Sequence, residues 1–360
     1  MTPKKTVDYL IIGQGLAGSL LGWRLIQQHH TVLIVDPCLK QTASRTAAGL
    51  INPITGKRLV KAPNTENQLL TARKLYKQLA DFFGRPFFYE KDQIRLFQSE
   101  DEINQWNKRK SQADYRPFLA KRFSTSEKHG LKMAPLGGFE QKQCGYLDTV
   151  ALLDHLRHFF LDQQCFINQH MDLDDLKISP AFIEWQGHLA KKVIFCDGHH
   201  LRHNKWFSWL PLQPVQGEIL TLQSEQPVFD EIVQFGNWLL PLSNGTLKLG
   251  ASWQWQPLDE KPNEKTSAEL LARFYQHFPK FNSTQLLDVN VGIRPGTRDK
   301  HPFLGTHPTF SQLTVFNGFG SKGSLLIPWY SNCFLRHLTE AETLPQTVDI
   351  HRYKNDYFTG

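Results

Sequence analysis

The stretch DYLIIGQGLAGSLLGWRLIQQHHTVLIVD, from Asp8 to Asp36, decides the fold. Its apolar runs predict a strand at 9–12, a helix at about 16–28 and a second strand at 31–35. A strand, a helix and a strand in this order form the βαβ unit that opens a nucleotide-binding domain. The stretch therefore predicts an α/β fold that begins with a Rossmann-like unit.

Three glycines in this stretch, Gly13, Gly15 and Gly18, have the spacing G-x-G-x-x-G. Gly13 is predicted to form the tight turn, Gly15 to let the backbone approach a pyrophosphate, and Gly18 to let the helix pack on the strand. The backbone N–H groups at Leu16 and Ala17 then begin a helix whose positive end favours phosphate. The alternative is a tight turn with a purely structural role.

Asp36 ends the second predicted strand, where a carboxylate accepts hydrogen bonds from the ribose of adenosine. Its charge would repel a 2′-phosphate, which disfavours NADP. Gly22 extends the spacing to G-x-G-x-x-G-x-x-x-G, which favours FAD over a nicotinamide cofactor. The segment by itself predicts a dinucleotide, with FAD preferred.

Composition narrows the class of protein. A chain of 360 residues with 12% aromatic residues is long and apolar enough for a large core, which argues against disorder. Five cysteines without a C-x-x-C pair favour a reduced, cytoplasmic protein, and no apolar run is long enough to span a membrane. A net charge of +7 favours acidic ligands and permits weak attraction to nucleic acid, while the oligomeric state stays open.

The rest of the chain alternates between apolar patterns typical of helices and apolar patterns typical of strands. Helices are predicted at 67–83, from Thr149 onward, at 267–277 and near the C-terminus, and no regular element is predicted at 42–58. Alternating apolar residues predict strands through much of 206–285, with a hairpin turn at 243–245.

This pattern predicts two interleaved domains. The FAD-binding domain is assigned to residues 1–85, 140–205 and 290–360. The substrate-binding domain, which is mostly antiparallel and rich in β-strands, is assigned to residues 86–139 and 206–289.

Five segments resemble motifs of the FAD-dependent D-amino-acid oxidase superfamily, most closely its glycine oxidase and sarcosine oxidase branch. They occur in the same order as in that family and extend almost from end to end of the chain. The segments are SRTAAGLINP (44–53), KVIFCDGHH (192–200), PVQGEIL (214–220), GIRPGTRDKHPFLG (292–305) and GFGSKGSLLIP (318–328).

The resemblance implies a bound FAD and a set of residues that contact it. The flavin is expected to be non-covalent, because the family's covalent-flavin cysteine has no match here. Asp197 stands where the family usually has Ala or Thr. Besides the glycine turn and Asp36, the implied cofactor-binding residues are Ser44, Arg45, Ala47, Ala48, Gly49, Gly198, Gly320, Ser321, Lys322 and Gly323.

Three residues are expected to act at the reaction centre. The resemblance implies that Arg294 binds a substrate carboxylate, with a pairing to Asp299 as the structural alternative. Lys322, at the predicted start of the last helix, would stabilise negative charge on a reduced flavin, with an exposed lysine as the alternative. Trp238 stands where glycine oxidases have a tyrosine, which makes glycine itself a doubtful substrate.

The expected reaction is oxidation of a primary or secondary amine, such as an amino acid or N-substituted amino acid, with oxygen or another acceptor taking the electrons. A second hypothesis is oxidation of a glycine-like side arm on a tRNA wobble uridine, because the C-terminal motifs are also similar to the oxidase domain of that modifying enzyme. A third is a non-catalytic flavoprotein scaffold. No metal site is expected, since His199, His200 and His203 have no further ligands among their sequence neighbours.

Overall fold

The computed structural model describes residues 5–123, 136–225, 229–281 and 283–358. Its α-helices are α1 Leu16–Gln27, α2 Ala43–Thr46, α3 Thr65–Phe83, α4 Glu100–Lys110, α5 Thr149–Asp162, α6 Glu264–His277, α7 Gly323–Glu340 and α8 Lys354–Tyr357. Its strands are β1 Thr6–Ile12, β2 Val32–Asp36, β3 Leu50–Ile51, β4 Ile54–Thr55, β5 Val60–Lys61, β6 Phe88–Glu90, β7 Gln93–Leu96, β8 Leu119–Phe123, β9 Gly138–Gln141, β10 Gly145–Leu147, β11 Phe166–Asn168, β12 Lys177–Ile178, β13 Ile183–Trp185, β14 His188–Phe195, β15 Val215–Gln223, β16 Ile232–Gln234, β17 Trp238–Pro241, β18 Thr246–Gly250, β19 Gln285–Arg294, β20 Phe303–Thr306 and β21 Leu313–Asn317.

The chain divides into two compact units. The first comprises Met1–Arg45, Thr149–Val215 and Ile293–Gly360, and the second comprises Thr46–Asp148 and Gln216–Gly292. This division differs from the predicted one chiefly at residues 46–85, which group with the second unit. The reason is long-range pairing, because β3 and β6 both pair with β10 in a small antiparallel sheet.

The first unit is built on an eight-stranded sheet. Five of its strands run parallel in the order β11, β2, β1, β14 and β21. Shorter strands pair in antiparallel fashion with β14 and β21. Since the carboxyl ends of parallel strands meet at one edge, the residues that follow β1, β2, β14 and β21 lie along the same edge.

Apolar side chains cover both faces of this sheet. On one face, Leu10, Leu33, Val193 and Val315 belong to one buried cluster that extends to Phe207. On the other face, α1 packs against α5 and α7. Gly22 makes the close approach of α1 possible, because a β-carbon at this position would lie 3.0 Å from Ile34 Cδ1.

The second unit contains another eight-stranded sheet, ordered β19-β15-β18-β17-β16-β7-β9-β8. All pairings described for this sheet are antiparallel except that of β16 with β7, which agrees with the predicted β-rich, mostly antiparallel domain. Helix α6 covers one face through Leu270 and Phe274. The other face contributes Ile219 and Leu240 to a separate apolar cluster.

Several local predictions are confirmed. Strand β1, helix α1 and strand β2 occur in the predicted order, and β17 and β18 form the predicted hairpin, in which Gly245 has a φ of +81°. The expectation of no regular element at 42–58 was wrong, since α2, β3 and β4 lie there. Residues 124–135, which belong to the predicted substrate-binding domain, lie outside the described residues. Among the described helices, none is both long and apolar enough to cross a membrane.

We expect Gly18→Ala to destabilise the protein even without cofactor, because a β-carbon at Gly18 would overlap the carbonyl oxygen of Gly13. Steric strain of this kind costs about 2 kcal/mol or more. The midpoint of thermal unfolding of the cofactor-free protein measures the effect.

The control for this prediction is Gly84→Asn. Gly84 follows α3 in the left-handed conformation, with a φ of +70°, and a β-carbon there would meet no described heavy atom within 4 Å. Asparagine tolerates this conformation, so the unfolding midpoint of the control should change little. Equal midpoints for Gly18→Ala and the wild type would contradict the steric account.

Candidate functional site

The glycine turn after β1 is held against the end of β14. Gly13 has a φ of +101°, and a β-carbon there would lie 2.6 Å from the carbonyl oxygen of Cys196 and 3.3 Å from Asp197 Cα. The N–H of Gly13 donates to the carbonyl of Val35, 2.9 Å away. The turn is therefore enclosed by the carboxyl ends of β2 and β14, and only glycine fits its first position.

Helix α1 begins with its positive end open. Gly15 is the residue that precedes the helix and has no side chain to cap it, and the first turn contains no acidic residue. The Leu16 N–H donates to Ser44 Oγ at 2.9 Å, which puts the Ser44 hydroxyl at the start of the helix. N–H donors and a positive helix end whose first turn carries no acidic side chain suit an anion such as a diphosphate.

Asp36 lies at the carboxyl end of β2, next to this turn. Its carboxylate accepts hydrogen bonds from the N–H groups of Gln14 and Cys38, both at 2.7 Å. These two bonds fix the carboxylate at the edge of the sheet, and the side chain keeps 15% of its surface exposed. The position fits a group that accepts hydrogen bonds from a ribose beside the glycine turn.

The segment after Ser44 is divided between the two units. The guanidinium of Arg45 binds both carboxylate oxygens of Asp154 on α5, at 2.7 and 3.4 Å, a partner that sequence reasoning did not foresee. In the second unit, Gly49 has a φ of +68° and its β-carbon would overlap the Leu147 carbonyl. The glycine is thus required by the pairing of β3 with β10, and Ala48 is buried nearby in an apolar cluster. The predicted flavin contacts of Ala47, Ala48 and Gly49 stay predictions.

The carboxyl end of β14 carries an acidic residue that sequence reasoning left without a role. The Asn317 side chain donates to Asp197 Oδ1 at 2.9 Å and to the Gly198 carbonyl at 3.0 Å, which ties β21 to β14. Burial raises the pKa of the Asp197 carboxyl to about 7, against the opposing effect of hydrogen bonds that include those from Asn204 and Asn317. The sequence contains a signal for this contact. Asp197 directly follows the apolar run 193–196, and Asn317 is the last residue of the apolar strand β21.

Arg294 is the last residue of β19 and is partly buried. Burial lowers the pKa of Arg294 to about 10, so the guanidinium stays protonated at neutral pH in surroundings with little water. Asp299, the structural alternative from the sequence, binds Arg352 at 2.9 Å. The carbonyl of Pro295 accepts a hydrogen bond from the Gly320 N–H at 3.1 Å, which joins the Arg294 segment to the glycine-rich segment before α7.

Residues Gly320–Lys322 form a 3-10 turn, and α7 begins at Gly323. The prediction that the helix itself begins at Ser321 was therefore off by two residues. Lys322 is partly buried, and burial lowers its pKa, with a further lowering from Lys300. The alternative of a fully exposed lysine is wrong.

Trp238 begins β17 in the second unit. Its indole lies across Gly250 on the neighbouring strand, where a β-carbon would come 2.6 Å from Trp238 Cζ2. The side chain packs against the apolar cluster that contains Ile219 and Tyr146. Gly250 is therefore the partner that makes room for the indole on this face of the sheet.

Residues 8–333 match the model of the DAO family, described as FAD dependent oxidoreductase. The chain belongs to this family. It therefore carries an FAD-dependent oxidoreductase domain, and the expected resemblance, fold class and FAD cofactor are confirmed at the level of the family.

Three similar proteins illustrate the family. The bifunctional protein ThiO/ThiG from Synechocystis is 26% identical over 90% of this chain and 50% of its own length. The tRNA 5-methylaminomethyl-2-thiouridine biosynthesis bifunctional protein MnmC from Acinetobacter baylyi is 23% identical over 97% of this chain and 55% of its own. The crystal structure of glycine oxidase from Geobacillus kaustophilus superposes with a TM-score of 0.80 at 21% identity, over 95% of this chain and 96% of that one. The oxidoreductase thus spans about half the length of the first two relatives.

The residues at the open edge of the first sheet fit the diphosphate and adenosine of FAD. Gly13 allows the tight turn against β14, Gly15 leaves the start of α1 without a side chain, Ser44 adds a hydroxyl, and Asp36 supplies an acceptor for the ribose. These residues would hold the cofactor of the oxidoreductase. FAD supplies the capacity to accept a hydride when it is bound.

We expect Asp197→Asn to change how stability depends on pH. A carboxyl with an ordinary pKa of 3.8 that rises to about 7 in the folded protein binds more protons when folded. The wild type should therefore lose stability as pH rises from about 4 to 7. At pH 8 the cofactor-free Asn variant should be more stable by about 1–3 kcal/mol, and at pH 4 the gain should vanish.

The matched control is Asp299→Asn. The pKa of Asp299 lies below its usual range because hydrogen bonds from Arg352 and His301 outweigh burial, so the charged form stabilises the fold. This variant should be less stable than the wild type at pH 8. Thermal unfolding curves at both pH values check the two signs, and parallel pH profiles for the wild type and Asp197→Asn would disprove the assignment.

Proposed function

We propose that this oxidoreductase oxidises the C–N bond of an amino acid or N-substituted amino acid to an imine. The observation that carries the proposal is the position of Arg294, a partly buried cation at the end of β19 whose segment is hydrogen-bonded to the Lys322 segment. A guanidinium in surroundings with little water binds a carboxylate through two parallel hydrogen bonds more strongly than one in water does. The site thus suits an amine that carries a carboxylate.

In the proposed reaction the substrate would lose a hydride from its α-carbon and a proton from its nitrogen to solvent, and bound FAD would supply the hydride acceptor. Water then hydrolyses the imine to a carbonyl compound and an amine. Arg294 fixes the carboxylate end, which limits how the α-carbon can turn and so favours reaction. The positive charge of Lys322 and the positive N-terminal end of α7 would stabilise negative charge on the bound cofactor.

Trp238 shapes the substrate preference in this proposal. Its indole has one N–H donor and more bulk than the phenol ring of a tyrosine. The relative named glycine oxidase supports amino-acid chemistry in general. Because the shape and hydrogen bonding at this position differ from those of a tyrosine, we expect glycine itself to be a poor substrate.

The test is an anaerobic screen of the purified holoprotein with amino acids and N-alkyl amino acids, read as loss of the oxidised-flavin absorbance. We expect at least one carboxylate-bearing amine to reduce the flavin. If no amine in the screen does so, the protein is better described as a flavoprotein scaffold. Precipitation of the protein by acid should release the flavin if it is non-covalent.

Arg294→Met should raise the dissociation constant of the reducing substrate by about 30-fold, which corresponds to roughly 2 kcal/mol. Arg294→Lys should lie between Met and the wild type, because it keeps the charge without the two parallel bonds. The amine without its carboxylate should bind the wild type and Arg294→Met alike.

The control is Arg298→Met, which removes an exposed arginine from the same segment. It should leave the substrate dissociation constant unchanged. Equal losses in Arg298→Met and Arg294→Met would mean that general charge attracts the substrate, and unchanged binding in Arg294→Met would remove Arg294 from the site.

A second candidate function is oxidation of a carboxymethylamino-type side arm on a modified tRNA base. The MnmC relative, whose name includes tRNA biosynthesis, matches 97% of this chain, and the net charge of +7 suits a polyanion. This function predicts tRNA binding that weakens steeply with salt, because phosphate contacts release counterions. Filter binding at 50 and 200 mM NaCl should then show at least a tenfold change in affinity, and negligible binding at the lower salt would rule the function out.

A further inference from the structure

A hydrogen-bonded network connects α5 to the glycine turn. The Nε of Arg157 donates to Gln14 Oε1 at 2.7 Å, and Arg157 Nη2 lies 3.9 Å from Asp36 Oδ1. Arg157 is four-fifths buried, with 21% of its side chain exposed. A cation thus lies beside the one carboxylate that fits the ribose of the cofactor.

Gln14 lies between the first two glycines of the turn, and it joins this network through both its backbone and its side chain. Its backbone N–H donates to Asp36 Oδ2 at 2.7 Å. Its side-chain nitrogen donates to Ser19 Oγ at 3.0 Å and to the Leu153 carbonyl at 3.1 Å. With the amide nitrogen used in this way and the side chain 3% exposed, Oε1 is directed at Arg157. The orientation of the turn therefore depends on a donor supplied by α5.

We propose that Arg157 is a positioning residue for the adenosine diphosphate half of FAD. It fixes Gln14, and through Gln14 the N–H that holds the Asp36 carboxylate. Its charge also offsets that of Asp36. This matters because Asp36 carries a negative charge next to a helix end that binds a doubly negative diphosphate, and like charges in a partly buried site repel strongly.

A purely structural role for Arg157, as an anchor of α5, would make different predictions. Helix α5 keeps two other anchors, the pair of Asp154 with Arg45 and the bond from Gln14 to the Leu153 carbonyl. The fold should therefore survive the loss of Arg157. An effect on the cofactor should be confined to its adenosine half, whereas a displaced helix would weaken the binding of any ligand.

The experiment measures binding to the cofactor-free protein. FAD is titrated by the change in its fluorescence, and ADP and FMN are used as competitors that each represent one half of the cofactor. For Arg157→Met we expect the dissociation constants of FAD and ADP to rise about tenfold and that of FMN to stay within twofold of the wild type. Arg157→Lys, which keeps the charge, should recover part of the loss.

The matched control is Arg73→Met in the second unit, which removes a partly exposed arginine that binds Glu90 at 2.7 Å. It should bind FAD, ADP and FMN as the wild type does. Unchanged FAD and ADP affinity in Arg157→Met would overturn the proposal, and so would equal losses for ADP and FMN. If Arg157→Met does not fold, Arg157→Lys decides by the same comparison.

The proposal rests on the family's use of FAD and not on the substrate. All its measurements are of binding, so a failed screen for reducing amines leaves its outcome unaffected. Conversely, normal ADP binding in Arg157→Met would leave amine oxidation at Arg294 untouched.

Discussion

The close approach of the Gly13 turn to the end of β14 is the constraint on which the proposed cofactor site depends. Because β1 lies parallel between β2 and β14, the residue after Ile12 must turn within the space left by Val35 and Cys196. Only a residue without a side chain fits, and the same turn starts α1 directly over the sheet. The positive end of that helix is thereby fixed at the carboxyl edge, where the diphosphate of FAD would bind.

Charges along this edge follow from the same geometry. The helix end and the Ser44 hydroxyl offer donors, while Asp36 supplies a single acceptor whose charge is offset by Arg157. Asp197 is the exception, since its burial next to the turn costs free energy whenever it is ionised. The hydrogen bond from the Asn317 side chain to Asp197 connects two segments. One is the edge of the sheet beside the Gly13 turn, and the other leads into the Gly320–Lys322 turn. Positions that suit a cofactor and positions that hold the edge together are thus adjacent in the fold.

Features that depend on neighbouring residues could be predicted from the sequence. The βαβ start and the hairpin at Gly245 follow from apolar spacing and turn chemistry within a few residues. The unit to which residues 46–85 belong could not be predicted in this way. It depends on a small sheet in which β10 pairs with both β3 and β6. Arg45 illustrates the same limit, since its partner Asp154 lies 109 residues further along the chain. A motif can indicate which residues form a site. Side-chain partners that lie far apart along the chain depend on tertiary packing, which cannot be read from a single sequence.

We propose that this chain holds FAD at the carboxyl edge of the first sheet and a substrate carboxylate on Arg294. A crystal structure of the holoprotein with a non-reacting N-substituted amino acid tests this arrangement. We expect the diphosphate on the backbone of Gly13–Gly18, the ribose on Asp36 and the ligand carboxylate within hydrogen-bond distance of the Arg294 guanidinium. A diphosphate bound away from that turn, or a ligand carboxylate held by other residues with Arg294 pointing elsewhere, would contradict it.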